Sequence, residues 1–181
     1  MSRVADRRHR AARPRAARPS TPPALNSAAQ HVLREMELWW PAFAGGALTP
    51  DAGDAPPLRP GERFAVELPA VRTAGLGLPV TSGALCATDC RAIITTEWSR
   101  SQREWAHQDL CGVDALGNWG GVALTRAGGD TELIVSAAPE PPTWHDATAW
   151  LKVEAAFAAA TGRLDDWMGR LPQRLALAAE A

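Results

Sequence analysis

The sequence predicts an α+β domain in which about seven short strands are preceded by one helix and followed by two. Three observations carry this. Residues 83–137 run as short apolar stretches separated by tight-turn residues. Val32, Met36, Trp39 and Phe43 recur at helical spacing ahead of them, and beyond Pro139, Pro141 and Pro142 the apolar period changes from two to 3.6. The 181 residues suffice for one domain of ordinary size plus extensions.

Residues 1–24 read as a basic arm. They hold Arg3, Arg7, Arg8, Arg10, Arg13, Arg15 and Arg18 against one Asp, and so carry +6. Residues 25–181 hold 12 Lys and Arg against 19 Asp and Glu, or −7, which together give the formal −1. With Pro14, Pro19, Pro22 and Pro23 and almost no large apolar side chain, the arm cannot bury enough surface to offset its ordering entropy. The sequence therefore predicts a disordered arm. Its arginines suit phosphate neutralisation on RNA or DNA, but no aromatic is interleaved for base stacking, and a solubilising tail has the same composition. The prolines spoil the amphipathic helix of an organelle transit peptide.

Residues 25–44 read as an amphipathic helix, capped by Asn26 or Ser27 and ended after about Trp40 by Pro41. Trp39 and Trp40 are candidates to anchor a partner, since buried Trp is enriched in interface hot spots. They serve equally to pack the helix on its own chain. Residues 45–57 read as an acidic linker, with a boundary near residue 57.

Glu62 to Leu68 alternates Phe64, Val66 and Leu68 with Arg63, Ala65 and Glu67, the pattern of a half-buried strand, which Pro69 closes. After a connector over 70–82, Leu85 and Cys86 lead into the turn Thr88-Asp89-Cys90-Arg91 and a strand over 92–97. Further strands are expected at 103–107, 111–116, 122–125 and 131–137. Asp109-Leu110, Gly117-Asn118 with Gly120-Gly121, and Gly128-Gly129-Asp130 supply the turns between them. Thr143 with Asp146 then resembles a capping box, and Ala147, Trp150, Leu151, Val153, Phe157 and Ala160 form a core-facing stripe that Gly162 ends. Residues 163–181 add a second helix bearing Leu164, Trp167, Met168, Leu171 and Leu175, which Pro172 is expected to kink or shorten.

Residues 58–162 also resemble a family. Gly61-Glu62 at the first strand, Gly83, Leu85, Thr88 and Arg91 in the hairpin, and Trp105, Leu110 and Val113 beyond it are similar to the short motifs of bacterial pleckstrin-homology-like and GRAM-type domains. The resemblance implies a strongly bent antiparallel sheet or small barrel, with one end plugged by the helix at 143–161. Ala92 stands where that family usually carries a larger aliphatic residue, and the basic arm and second C-terminal helix lie outside the module. Such a fold hosts many functions, so the site must decide.

The chemistry of individual residues points away from catalysis. Cys86, Cys90, His107 and Cys111 are donors that suit tetrahedral zinc, but their spacing is not that of a familiar zinc knuckle. Cys111 with His107 and Asp109 or Asp114 spells a thiol nucleophile only if the geometry converges. Glu62, Glu67, Glu97 and Glu104 show no pairing suited to acid–base work. Residues 117–121 lack the helix and Lys-Ser/Thr of a phosphate loop. Lipid headgroup binding in this superfold relies on basic residues around the first hairpin, where the connector holds only Arg72, so membrane lipid is disfavoured. No metal, cofactor or catalytic residue is expected.

Three cysteines, no early apolar run resembling a signal peptide and no span of ~18 uninterrupted apolar residues point to a cytoplasmic setting. A single lysine, Lys152, and the abundance of Ala, Arg, Gly and Pro fit a high-GC bacterial source. The sequence thus favours a non-enzymatic adaptor or structural component. Its protein partner would meet the sheet edge, the groove beside the closing helix, and Trp39, Trp40 and Trp119. The alternative is a nucleic-acid- or ribosome-associated factor acting through the arginines of the arm.

Overall fold

The computed structural model describes residues 25–50, 56–73, 79–95, 102–116, 120–137 and 144–179. Helix α1 (Ser27–Ala44) leads into β1 (Phe64–Thr73), β2 (Pro79–Thr88), β3 (Arg91–Thr95) and β4 (Gln102–Ala106). A short 3₁₀ turn, His107–Asp109, then precedes β5 (Leu110–Ala115), β6 (Gly121–Arg126), β7 (Thr131–Ser136), α2 (Trp144–Ala160) and α3 (Leu164–Ala179).

The seven strands form one antiparallel sheet in the order β4-β3-β2-β1-β7-β6-β5, so β4 and β5 are its two edges and the sheet does not close. It is strongly bent. β4 and β7 are four strands apart, which in a flat sheet is about 19 Å, yet Arg103 of β4 and Glu132 of β7 form an ion pair. The bend lets α2 pack on β1, β2, β5 and β6 together. Trp150, Leu151, Val153 and Phe157 of α2 meet Leu85, Ile94, Leu124 and Ile134 in the resulting core. This is the bent sheet plugged by a helix that the family resemblance implies.

β1 pairs with β2 along its whole length but with β7 only over Ala70–Thr73. Helix α1 packs on α2 and α3 and is tied to the remaining half of β1 through Trp39, which stacks on Phe43 at 4.7 Å and donates its Nε1–H to the Ala65 carbonyl at 3.0 Å. Asn26 caps α1 by accepting from the Ala29 N–H. Gly162, at φ 67°, ends α2 in the left-handed region that a side chain would disfavour.

Pro41 and Pro69 act differently from their sequence-based expectation, and Pro172 does not shorten its helix. Pro69 does not close β1, because it lies just before the β7 ladder begins, where a missing N–H is tolerated. Pro41 lies within the last turn of α1, where Trp39 and Phe43 hold the helix on the body from either side. Pro172 lies inside α3, between the fully buried Leu171 and Leu175. Burial of each leucine contributes about 2 kcal/mol, which together exceeds the ~3 kcal/mol that an interior proline costs. The expected connector is also shorter, since β2 begins at Pro79.

Candidate functional site

The motif residues Glu62, Thr88 and Arg91 meet at one corner of the sheet. Glu62 Oε1 accepts from Thr88 Oγ1 at 2.6 Å and Arg91 Nε at 2.7 Å, while Oε2 accepts from Arg91 Nη2 at 3.0 Å and the Arg59 N–H at 2.7 Å. Arg91 Nη1 donates onward to Glu104, and Nη2 also reaches the Pro57 carbonyl. Burial alone would raise the Glu62 pKa, but the hydrogen bonds from Arg91, Arg59 and Thr88 bring it down to about 2. Glu62 and Arg91 are each buried and fully partnered, so this corner locks the fold and leaves no open valence for a ligand.

The thiol and imidazole candidates do not converge. Cys86 is buried in β2, where desolvation pushes its thiol up to about 12, while Cys90 and Cys111 are exposed. His107 is buried with Nε2–H donating to the Thr88 carbonyl at 2.8 Å, its ring edge-on to Phe157. Desolvation depresses its pKa, which keeps the ring neutral. Among the described residues no group of three or more His, Cys, Asp or Glu is placed to hold a metal ion.

A groove of about 400 Å³ lies between edge strand β5 and helices α2 and α3, and a second concavity of about 320 Å³ lies between β4 and the start of β5. In the groove, Val113, Phe157, Ala158 and Trp167 supply apolar lining, and Arg163, Arg170, Arg174, Glu154 and Asp114 supply charge. Glu154 is buried, and Arg174 grips both its oxygens at 2.8 and 3.0 Å while lying over the Trp167 ring. Arg163 lies over Phe157 and donates to Thr161 Oγ1, and no carboxylate among the described residues lies within 4 Å of it. Along β5, the Leu116 N–H points to Gly121 of the neighbouring strand. By alternation the backbone groups of Val113 and Ala115 face away from β6, on the side where the sheet ends.

A second cluster surrounds Glu132. Arg72 of β1, Arg103 of β4 and Arg126 of β6 all form ion pairs with it. Burial opposes its ionisation, but hydrogen bonds from Arg103 and Arg72 hold its carboxyl below the ordinary range. The single arginine counted near the first hairpin is therefore one of three in space, with Glu132 at their centre.

The aromatic candidates separate. Trp39 is buried within its own domain, as the in-cis alternative expected, whereas Trp40 is half-buried and keeps surface. Trp119 and the arginines of residues 1–24 lie outside the described residues. Sequence reasoning missed Arg163, Arg170 and Arg174. Arg170 and Arg174, four apart, share a face of α3, and Arg163 directly precedes its first turn, a spacing of seven and four that was present as a signal.

No family model and no curated protein matches the sequence. Among solved structures the chain is similar to the Vps36 N-terminal PH domain, at 16% identity over 63% of this chain and 90% of that one, with a TM-score of 0.46. It is also similar to the C-terminal domain of an unknown protein from Leishmania infantum, at 12% identity over 59% and 83%, TM-score 0.34. A third likeness is to the truncated linker-DH/PH domains of p115-RhoGEF, at 5% identity over 85% of this chain and 42% of that one, TM-score 0.36. The fold is PH-like. The strand order, the bend and the plugging helix carry that likeness. No described helix is long and apolar enough to cross a membrane.

Proposed function

We propose that this PH-like chain, of the bacterial GRAM-type branch that its motifs resemble, is a non-enzymatic cytoplasmic adaptor or structural component. It binds a protein partner by strand addition on β5. The carrying observation is the outward-facing backbone of Val113 and Ala115 at the end of the sheet, beside a groove lined by α2 and α3. Trp119, in the β5–β6 connection, and Trp40, half-buried on α1, extend the contact. The division into arm, N-terminal helix, linker, PH-like domain and helical extension fits this reading, with the extension supplying one wall of the groove.

The test combines affinity purification from the native host with the variant Ala115→Pro, which removes an N–H that the sheet does not use. A stoichiometric partner recovered on the parent chain and lost on this variant, with circular dichroism unchanged, is the expected result. Equal recovery on both would sink strand addition, and recovery of no partner across growth states would sink the adaptor. The alternative, nucleic-acid or ribosome association through Arg3, Arg7, Arg8, Arg10, Arg13, Arg15 and Arg18, is favoured by the +6 charge of the arm. It requires binding that weakens steeply with salt and vanishes when residues 1–24 are deleted.

A further inference from the structure

We propose that the occupant of the β5 groove is an extended peptide carrying at least one Asp or Glu side chain set against Arg163 and Arg170, next to an apolar side chain. This rests on the strand-addition reading above. The groove holds three arginines and two carboxylates, but these are not equivalent. Glu154 has both oxygens on Arg174 and is buried beneath it, so that pair is internally neutral. Asp114 is an exposed residue of β5 itself.

Arg163 and Arg170 then remain as the cations on the helical side. Arg163 meets a ring and a hydroxyl in place of a carboxylate, and Arg170 meets Asp166 at 3.4 Å with both side chains largely in solvent. An exposed pair of that kind holds its partner weakly. A strand laid along β5 projects alternate side chains to each side. Those directed at α2 and α3 meet the apolar surface of Phe157 and Trp167 and the guanidinium groups beside it, which take a carboxylate through charge-assisted hydrogen bonds. A basic peptide would place like charge against both arginines, and the carboxylates it could reach are Asp114 on β5 and Asp166, which already pairs with Arg170.

The experiment selects binders from a displayed random-peptide library on the full chain, then measures selected synthetic peptides by fluorescence polarisation. The expected result is enrichment of Asp and Glu, with Kd weakened about tenfold by Arg163→Ala and by Arg170→Ala. The double reversal R163E/R170E should shift selection to Lys and Arg, and Ala115→Pro should abolish binding to the groove. Peptides that are lost on Ala115→Pro but carry no acidic enrichment would overturn the charge class and leave strand addition standing. Acidic peptides indifferent to R163E/R170E, as when the N-terminal arginines hold them, would overturn the proposal. Absence of any binder sensitive to Ala115→Pro would overturn both readings. A concentration-dependent dimer in sedimentation that Ala115→Pro abolishes would assign the edge to a second copy instead.

Discussion

Arg91 and Arg163 occupy opposite surroundings. Arg91, 5% exposed, meets Glu62, Glu104 and the Pro57 carbonyl, while Arg163 lies at the surface over a phenyl ring and donates to one threonine hydroxyl. The difference separates structural charge from available charge. A guanidinium whose donors are matched inside the fold holds elements together, and one that lacks a carboxylate at a groove rim retains its binding capacity. Arg174 is intermediate, for it is matched by Glu154 yet lines the same groove.

The largest expected effect comes from unmatching the buried corner. Arg91→Ala leaves the Glu62 carboxylate in place without its main partner, and should cost about 3–5 kcal/mol in urea unfolding. The double variant Glu62→Gln/Arg91→Met removes both charges and should lose clearly less than the sum of the single variants. Simple additivity would mean that the pair is not coupled, and the contrast with Arg163 would dissolve.

Acid tests the same corner without mutation. Glu62 is held at about 2 in the fold, against about 4.5 when free, so its folded pKa is depressed. The linked stability is present above the unfolded value and is lost as pH falls from about 5 toward 2, up to about 3 kcal/mol. His107, buried and neutral, adds a loss of the same sign, because its folded pKa is also depressed and acid must charge it. The gap in unfolding free energy between the parent chain and Glu62→Gln should therefore narrow through that window, while the His107 contribution persists in both. A gap that stays constant with pH would show that Glu62 is not held ionised.

Seven strands were legible because alternation and turn residues are local signals, and the turn from Thr88 to Arg91 falls where its sequence puts it. The corner was legible only as a list of motif residues. Glu62 and Arg91 are 29 positions apart, and nothing in their spacing says that they touch. Pro41 and Pro69 misled because local propensity was outweighed by burial or by a ladder position that needs no donor, and burial likewise carries α3 past Pro172. The groove was the least legible part, since its lining comes from β5, α2 and α3, which become neighbours only once the sheet has bent around α2.

The smallest expected effect is the most discriminating for that groove. Arg170 and Asp166 are 64% and 77% exposed in their side chains, and an exposed i,i+4 pair contributes about 0.3–0.5 kcal/mol. Arg170→Ala should shift the urea midpoint by no more than this, with an unchanged slope. If the loss instead reached about 2 kcal/mol, Arg170 would be bracing α3 against the body and would resemble Arg91 more than Arg163. A loss of peptide binding in the same variant would then report a displaced helix wall. Near-zero cost to stability is what allows a change in affinity at this position to be read as recognition.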